Sequence, residues 1–191
     1  ISTTELKTTS KDVVSVDLDK KGGCTRYIAG VMKGVKVGPS PDWLADYLKS
    51  VGQKSINNLV DISNFMLLEI GHPTHIFDLN KLHKPAIEVS WAKKGEKFDA
   101  LDEETYELST DHMVITDTKN TIALAGIIGG MDSSVTDSTT EVLIESAYFD
   151  PVVIRKGSKK LNLLSEASRR FERGTDPNAA AEAFNMIVQL M

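Results

Sequence analysis

The spacing of apolar positions predicts two helices in the first half of the chain. Between 57 and 70, apolar side chains recur at helical spacing, at positions 59, 62, 66, 67 and 70. Gly71 and Pro73 are expected to end this helix. An earlier helix is predicted to begin with Ser40 as N-cap and Pro41 as its first residue, and to stop at Gly52.

From position 86 the hydrophobic period changes to two residues, which predicts strands. Helices return at Pro151–Leu161 and at Pro177–Met191, the second with Asp176 as its N-cap. The predicted strands are Val13–Leu18, Cys24–Val37, Ile87–Ala92, Lys97–Leu101, Tyr106–Ser109, Met113–Thr116, Thr121–Ile128 and Val142–Ala147. Helices near both ends around a central run of strands indicate an α+β domain.

Composition adds that the chain is an ordinary globular one. Its 191 residues are 41% hydrophobic and 26% charged, enough for one sizeable core. No apolar run approaches the ~18–20 residues that cross a membrane, and no signal-peptide pattern is present. The lone Cys24 excludes a disulfide framework and a cysteine metal cluster, which fits a reducing, cytoplasmic setting.

The ends of the sequence suggest an excerpt of a longer polypeptide. The chain starts at Ile1 without an initiator Met, and its last predicted helix is apolar up to Met191. Residues 1–22 are rich in Ser, Thr, Lys and Asp, and are expected to be a linker with one strand from a preceding part. Residues 23–191 are expected to form the domain itself.

Charge is unevenly distributed along the chain. The net charge of −5 argues against nucleic-acid binding by the whole surface. The segment 151–174 nevertheless carries seven Lys or Arg against two Glu, which is 7 − 2 = +5. Such a strip suits a phosphate backbone touched at one edge, although charge alone favours a solvated helix face.

Polar residues crowd the segment from 54 to 78. Asn57, Asn58, Asp61 and Asn64 are predicted to be structural, capping the helix start and bridging to strands. His72 and His75 are three residues apart, but Pro73 interrupts the helix between them and no third clustered ligand supports a metal site. A separate glycine-rich stretch at 126–130 lacks the Lys-Ser/Thr and helix of a nucleotide-binding loop.

Four segments resemble, in order and spacing, the B3/B4 domain of the bacterial phenylalanyl-tRNA synthetase β subunit. They are KSINNLVDISNFMLLEIGHPTHIFD, ALAGIIGG, VLIESAYFDP and LSEASRRFERGTDP, and the similarity runs from about Arg26 to the C-terminus. The resemblance implies a three-layer β/β/α sandwich that holds a proofreading site, where Tyr mistakenly attached to tRNA(Phe) is hydrolysed off.

The same resemblance implies a larger assembly around this domain. The parent would be an α₂β₂ phenylalanine–tRNA ligase with tRNA(Phe) and the α subunit as partners. Because its aminoacylation site lies on the α subunit, ATP and Mg²⁺ would serve the parent enzyme, and neither a cofactor nor a metal is expected in this domain.

The resemblance also assigns roles to individual residues. Glu145 matches the glutamate that holds the tyrosine hydroxyl, and His75 matches the catalytic histidine near the scissile ester. Whether His75 takes a proton from the attacking water or only positions it stays open at neutral pH. Five further positions match the walls and mouth of the editing pocket: Pro73, Gly129, Ser165, Ala167 and Lys54.

Three positions depart from the family pattern. Lys54 replaces an arginine and loses its bidentate fork, Ser165 replaces a threonine, and His72 replaces a glutamine. Because Glu145 and His75 are present, editing is expected to be retained. The alternative is an editing-inactive module that only supports the structure or positions tRNA, which the changes at Lys54 and Ser165 favour.

Overall fold

The computed structural model describes residues 13–191, which form ten strands and five helices. The strands are β1 (Ser15–Leu18), β2 (Cys24–Lys33), β3 (Thr74–Asp78), β4 (Ala86–Trp91), β5 (Lys97–Asp99), β6 (Thr105–Glu107), β7 (Met113–Thr116), β8 (Thr121–Leu124), β9 (Ile128–Gly129) and β10 (Glu141–Phe149). The helices are α1 (Asp42–Ser50), α2 (Asn58–Glu69), α3 (Pro151–Leu161), α4 (Glu166–Phe171) and α5 (Ala179–Leu190).

Two sheets and a helical layer build the domain. A three-stranded sheet, in the order β2-β10-β3, is antiparallel throughout, and a five-stranded sheet has the order β1-β4-β7-β8-β9. β5 and β6 form a separate hairpin. In the five-stranded sheet, β1 is the edge strand and pairs in parallel with β4. Residues 15–18, which the sequence placed in a linker with one strand, thus form part of this sheet. Residues 1–12 of that segment lie outside the described residues.

Alternation along β10 divides the core into two clusters, since successive side chains of a strand point to opposite faces. Leu143 and Ala147 belong to the cluster between the two sheets, together with Phe77 of β3 and residues of β4, β7 and β8. Val142 and Ile144 belong to the cluster under α1, α2 and α5. The small sheet is therefore the middle layer, which confirms the predicted three-layer β/β/α sandwich.

Several element boundaries differ from the sequence prediction. Ser40 does not cap α1: the N-cap is Pro41, without a side-chain hydrogen bond, because the Ser40 hydroxyl donates to Asp61 Oδ2 at 2.5 Å. Asp176 likewise is not the N-cap of α5, which begins after Asn178. The Asp176 carboxylate instead accepts a hydrogen bond of 2.8 Å from the Asn178 N–H, in the turn before α5.

Two elements were not predicted, and several strands are shorter than expected. The elements not predicted are β3 and α4, of five and six residues. β2 ends at Lys33 instead of Val37, and the predicted strand Thr121–Ile128 is broken by a turn into β8 and β9. Short elements depend on pairing and packing with distant residues, which local patterns do not contain.

The Asp61 carboxylate links the segments that surround α2. It is fully buried and accepts hydrogen bonds from Ser40 Oγ, Ser55 Oγ and the Ile56 N–H at 2.5, 2.5 and 2.9 Å. The chain before α1 and the chain before α2 are thus fixed to the same helix. Asp61 is structural as predicted, although it acts as a link between segments and not as a helix cap.

We expect Asp61→Ala to lower the free energy of unfolding by about 2–4 kcal/mol, because it leaves two hydroxyls and an N–H without their acceptor. Urea denaturation of the chain measures this. Asp46→Ala, which removes an exposed carboxylate from α1, is the control and should change stability by less than about 0.5 kcal/mol. Equal effects of the two substitutions would contradict this role for Asp61.

Candidate functional site

One cavity gathers most of the residues that the sequence singled out. It has a volume of about 520 Å³ and is lined by α2, β3, the β8–β9 turn, β10 and the start of α4. This volume is in the usual range for small-molecule sites. Six of the seven predicted site residues line it: Pro73, His75, Gly129, Glu145, Ser165 and Ala167.

Glu145 is the buried acid of this cavity. It lies in the middle of β10, between Ala29 of β2 and His75 of β3 in the pairing register, and is only 6% exposed. Its Oε2 accepts a hydrogen bond of 2.6 Å from the Tyr27 hydroxyl. Burial raises the pKa of Glu145 to about 7, and the hydrogen bond from Tyr27 partly opposes that rise.

His75 is directly opposite Glu145 on β3, and packing fixes its ring. The ring meets Phe77 edge-on at a centroid distance of 4.5 Å. Its Nε2 is buried and has no hydrogen-bond partner within residues 13–191. Burial lowers the pKa of His75 to about 4, so the imidazole is neutral at pH 7 and one ring nitrogen can accept a hydrogen bond.

Gly129 gives the His75 ring its space. A Cβ atom at position 129 would lie 2.5 Å from His75 Cε1 and 2.7 Å from Nε2. The sequence resemblance assigned this glycine to the pocket wall, where a missing side chain lets a ligand approach. The space is taken up by the histidine, so Gly129 acts on the site through the position of that ring.

Ser165 and Ala167 reach the cavity because α4 begins beside it. Ser165 is the N-cap of α4 in a capping box with Ser168, at 3.0 and 2.9 Å. The Ser165 hydroxyl also donates to the carbonyl of Ile127 in the β8–β9 turn at 2.5 Å. The Ser165 hydroxyl therefore uses its proton to link the start of α4 to the β8–β9 turn, and both of these elements line the cavity.

Lys54 is apart from the other predicted site residues. Its side chain is exposed in the segment before α2 and does not line the cavity, although Ile56 two residues later does. Asn57 and Asn58 have the predicted structural roles: Asn57 caps α2 through the Val60 N–H, and Asn58 bonds to Gly38 and Lys36. Asn64, predicted to be structural, lines the cavity instead.

The turn between α2 and β3 leads into the strand that carries His75. Gly71 has a φ of +70°, which a glycine adopts readily after a helix C-terminus. His72 is fully buried and packs edge-on against Phe171 at 6.2 Å, outside the cavity lining. Burial lowers its pKa to about 4 as well. Pro73 follows and leads directly into β3.

The basic segment 151–174 makes several local contacts that partly neutralise its charge. Arg170 pairs with Glu166 at 2.7 Å and its Nε donates to the Leu67 carbonyl at 3.1 Å. Lys160 pairs with Asp111 at 2.7 Å, and Arg155 donates to the Glu172 carbonyl. Exposed pairs of this kind contribute about 0–1 kcal/mol each, so they orient side chains more than they stabilise the fold.

Neither a group of candidate metal ligands nor a helix of membrane-spanning length occurs in the part of the chain that the structure describes. Within residues 13–191, no three His, Cys, Asp or Glu side chains lie close enough together to hold a metal ion. None of the helices in that range combines the length and apolar character that a membrane span needs.

Sequence reasoning missed Tyr27 and Phe77 as parts of the site. Tyr27 was included only in a predicted strand, and it is 118 residues from the glutamate that it contacts. The alternation of β2 does place Tyr27 and Ala29 on one face. The contact also needs the register of β2 against β10, which no local pattern specifies.

Comparison with known proteins places the chain in a family. A family model described as the B3/4 domain matches residues 23–191, and the chain therefore belongs to the B3/4 domain family. Its curated relatives include the phenylalanine–tRNA ligase beta subunit of Protochlamydia amoebophila, which is 45% identical over 93% of this chain and 23% of the relative. The corresponding subunit of Thermotoga maritima is 50% identical over 85% of this chain and 21% of the relative.

The chain thus spans about a fifth to a quarter of the length of these relatives. A solved structure shares the fold: an N-terminal fragment of the phenylalanyl-tRNA synthetase beta-subunit from Pyrococcus horikoshii. That match has a TM-score of 0.51 and 18% identity, and it covers 79% of this chain and 50% of the fragment.

The raised pKa of Glu145 predicts a pH-dependent effect of Glu145→Gln on stability. Between the ordinary glutamate pKa of 4.5 and about 7, the unfolded chain binds fewer protons at this group than the folded chain. Glu145 therefore reduces stability as pH rises through this window, by about 3 kcal/mol in total. The neutral amide avoids this loss and can still accept from Tyr27.

Urea denaturation at pH 5 and pH 8 measures the effect. We expect the stability of Glu145→Gln relative to the wild type to increase by about 2–3 kcal/mol between these values. The buried histidines act in the opposite direction in both proteins, so their contribution cancels. Glu141→Gln, at the end of the same strand, is the control. A wild-type-to-variant difference that stays constant with pH would contradict the assignment.

Proposed function

We propose that this chain is the editing domain of a phenylalanine–tRNA ligase β subunit and that its cavity hydrolyses Tyr from mischarged tRNA(Phe). The observation that carries the proposal is a buried carboxyl, Glu145, directly opposite His75 on the neighbouring strand, with both residues lining one cavity. Family membership and similarity to β subunits along almost the whole chain support it.

Selection of Tyr over Phe follows from the chemistry of Glu145. The two amino acids differ by one hydroxyl, and an apolar pocket rejects an added hydroxyl only weakly, which makes a second, hydrolytic site useful. A buried acceptor favours Tyr because Phe would leave it desolvated and unpaired, at about 1–3 kcal/mol or more. The Tyr27 contact supports this role, since this carboxyl already accepts a phenolic hydroxyl.

His75 is suited to the hydrolytic step. Its ring is neutral at pH 7 and held between Phe77 and Gly129, so a ring nitrogen can accept a hydrogen bond from an attacking water. Since its pKa of about 4 makes it a weak base, orienting the water is the greater part of the role that we assign to it. The ester of the substrate would lie beside this ring.

The rest of the parent enzyme belongs to the same proposal. We assign tRNA(Phe) and the ligase α subunit as partners in an α₂β₂ assembly in the cytoplasm. ATP and Mg²⁺ would act at the aminoacylation site on the α subunit, outside this chain. The relatives' names support a ligase subunit, and the share of their length that this chain spans accommodates such further parts.

One observation favours the rival, in which the domain only supports the fold or positions tRNA. Lys54, the position that replaces the family's arginine, is exposed outside the cavity lining. The rival nevertheless leaves the burial of Glu145 without a purpose. A buried acid that the Tyr27 hydrogen bond compensates only in part costs stability at neutral pH, as its pKa of about 7 indicates.

The deciding measurement is hydrolysis of preformed Tyr-tRNA(Phe) by the complete ligase. Glu145→Ala should slow the reaction roughly 10- to 100-fold, since it removes the acceptor for the substrate hydroxyl. His75→Ala should slow it on the order of 100-fold, which is at the low end for groups that act on water. Phe-tRNA(Phe) should be spared by the wild type.

Matched controls separate chemistry from folding. Glu141→Ala removes a carboxylate from the same strand, and His83→Ala removes an exposed imidazole, so both should edit at the wild-type rate. If the wild-type ligase leaves Tyr-tRNA(Phe) intact, the rival function is correct.

Gly129→Ala provides a second test, directed at the position of His75. The added Cβ would lie within 2.5 Å of the ring, so the imidazole must move. We expect hydrolysis to fall by at least roughly tenfold with little change in secondary structure. Imidazole NMR resonances of His75 should shift, while those of exposed His83 should not. An unchanged rate would show that the ring position is unimportant.

A further inference from the structure

Tyr27 is a polar group of the site that neither the motifs nor the proposed mechanism uses. It lies on β2, where it pairs with Ala147 of β10. The next residue of β2 on the same face, Ala29, pairs with Glu145. Its side chain is half-buried, and its hydroxyl reaches diagonally to Oε2 of Glu145 at 2.6 Å. Diagonal contacts of this length are within reach of aromatic side chains on one sheet face.

The contact approaches Glu145 from outside the cavity. Glu145 is part of the cavity lining, whereas Tyr27 is not. Within residues 13–191, Tyr27 is the one donor described for this carboxyl, and it uses Oε2. A carboxylate has two oxygens that both accept. Oε1 is therefore the oxygen left for a ligand.

We propose that Tyr27 is a positioning residue for substrate selection: its hydroxyl holds Oε2 of Glu145 so that Oε1 alone meets the phenolic hydroxyl of the substrate. This inference rests on the proposed editing function. It gives the carboxyl one fixed orientation before the substrate arrives. Hydrogen bonds from hydroxyls to carboxylates are short and about twice as strong as neutral ones, so a contact of 2.6 Å is suited to this task.

The pKa shifts of Tyr27 and Glu145 also fit a donor role for the Tyr27 hydroxyl. The pKa of the Tyr27 hydroxyl is raised by burial and by Glu145, so this group stays a donor at neutral pH. Its hydrogen bond lowers the pKa of Glu145 against the larger effect of burial. Loss of the hydroxyl should therefore make Glu145 protonate more readily and weaken it as an acceptor near pH 7.

Few other titratable groups face Glu145 in the described part of the chain. Cys24 lies on the same strand as Tyr27, and burial raises its pKa to about 12, so it is neutral. His75 on β3 is neutral too, and Glu166 on α4 lines the same cavity. Glu166 pairs with Arg170, whose hydrogen bond and charge lower the pKa of Glu166. A pH effect specific to Tyr27→Phe can thus be read at Glu145.

Tyr27→Phe tests the inference with Tyr148→Phe as its control. Tyr148 lies on β10 facing the other side of the small sheet, and no hydrogen bond is described for its hydroxyl. The first readout needs no tRNA: the ¹³C resonance of the Glu145 carboxyl is titrated in the 191-residue chain. We expect Tyr27→Phe to move its midpoint upward and Tyr148→Phe to leave it unchanged.

The second readout is hydrolysis of Tyr-tRNA(Phe) by the complete ligase at pH 7 and pH 8.5. We expect Tyr27→Phe to slow hydrolysis roughly five- to tenfold at pH 7 and to recover part of this loss at pH 8.5, where Glu145 ionises. A structural role alone would reduce the rate equally at both pH values together with the thermal midpoint.

The outcomes are distinct. An unmoved Glu145 midpoint, or a rate loss that is equal at both pH values, overturns the inference. If the wild-type ligase leaves Tyr-tRNA(Phe) intact while Tyr27→Phe still moves the midpoint, the proposed function fails but the action of Tyr27 on the carboxyl stands. A moved midpoint with a pH-dependent rate loss supports both.

Discussion

The register of β10 between β2 and β3 is the constraint on which the site depends. This pairing places Glu145 opposite His75 and within reach of Tyr27. Because side chains alternate along a strand, a slip of one residue would turn Glu145 toward the helices and bring Ile144 into the cavity. The two core clusters prevent such a slip, since each contains alternate residues of β10.

Burial shifts the pKa values of Glu145 and His75 and reduces stability. A carboxyl with its pKa raised to about 7 and a histidine with its pKa lowered to about 4 are both less stable in their charged forms than they would be in water. Stability falls with rising pH because of Glu145 and rises because of His75, so the two groups partly compensate between pH 4.5 and 6.5. The sheet tolerates them because large apolar clusters surround them on both faces.

The sequence allowed the fold class to be predicted and six of the residues that line the cavity to be named. α2 has a clear apolar period, and Glu145 and His75 lie in segments that resemble a known family. β3 and α4 were missed because the contacts that hold them are distant in sequence: β3 pairs with β10, and the Ser165 hydroxyl at the start of α4 donates to Ile127. Tyr27 was missed because its role depends on a contact across 118 residues.

Gly129 and Ser165 also have contacts that a match in sequence does not specify. A family match can state that a glycine and a hydroxyl line a pocket, but it does not state what fills the missing side chain or where the hydroxyl proton goes. Gly129 leaves room for the His75 ring, and the Ser165 hydroxyl ties α4 to the β8–β9 turn. Both residues therefore shape the cavity through other groups. The groups that would touch a ligand directly are fewer: the free oxygen of Glu145 and the ring of His75. The proposed selection of Tyr over Phe would require such an arrangement, because the position of one acceptor oxygen would decide whether the substrate hydroxyl is bound.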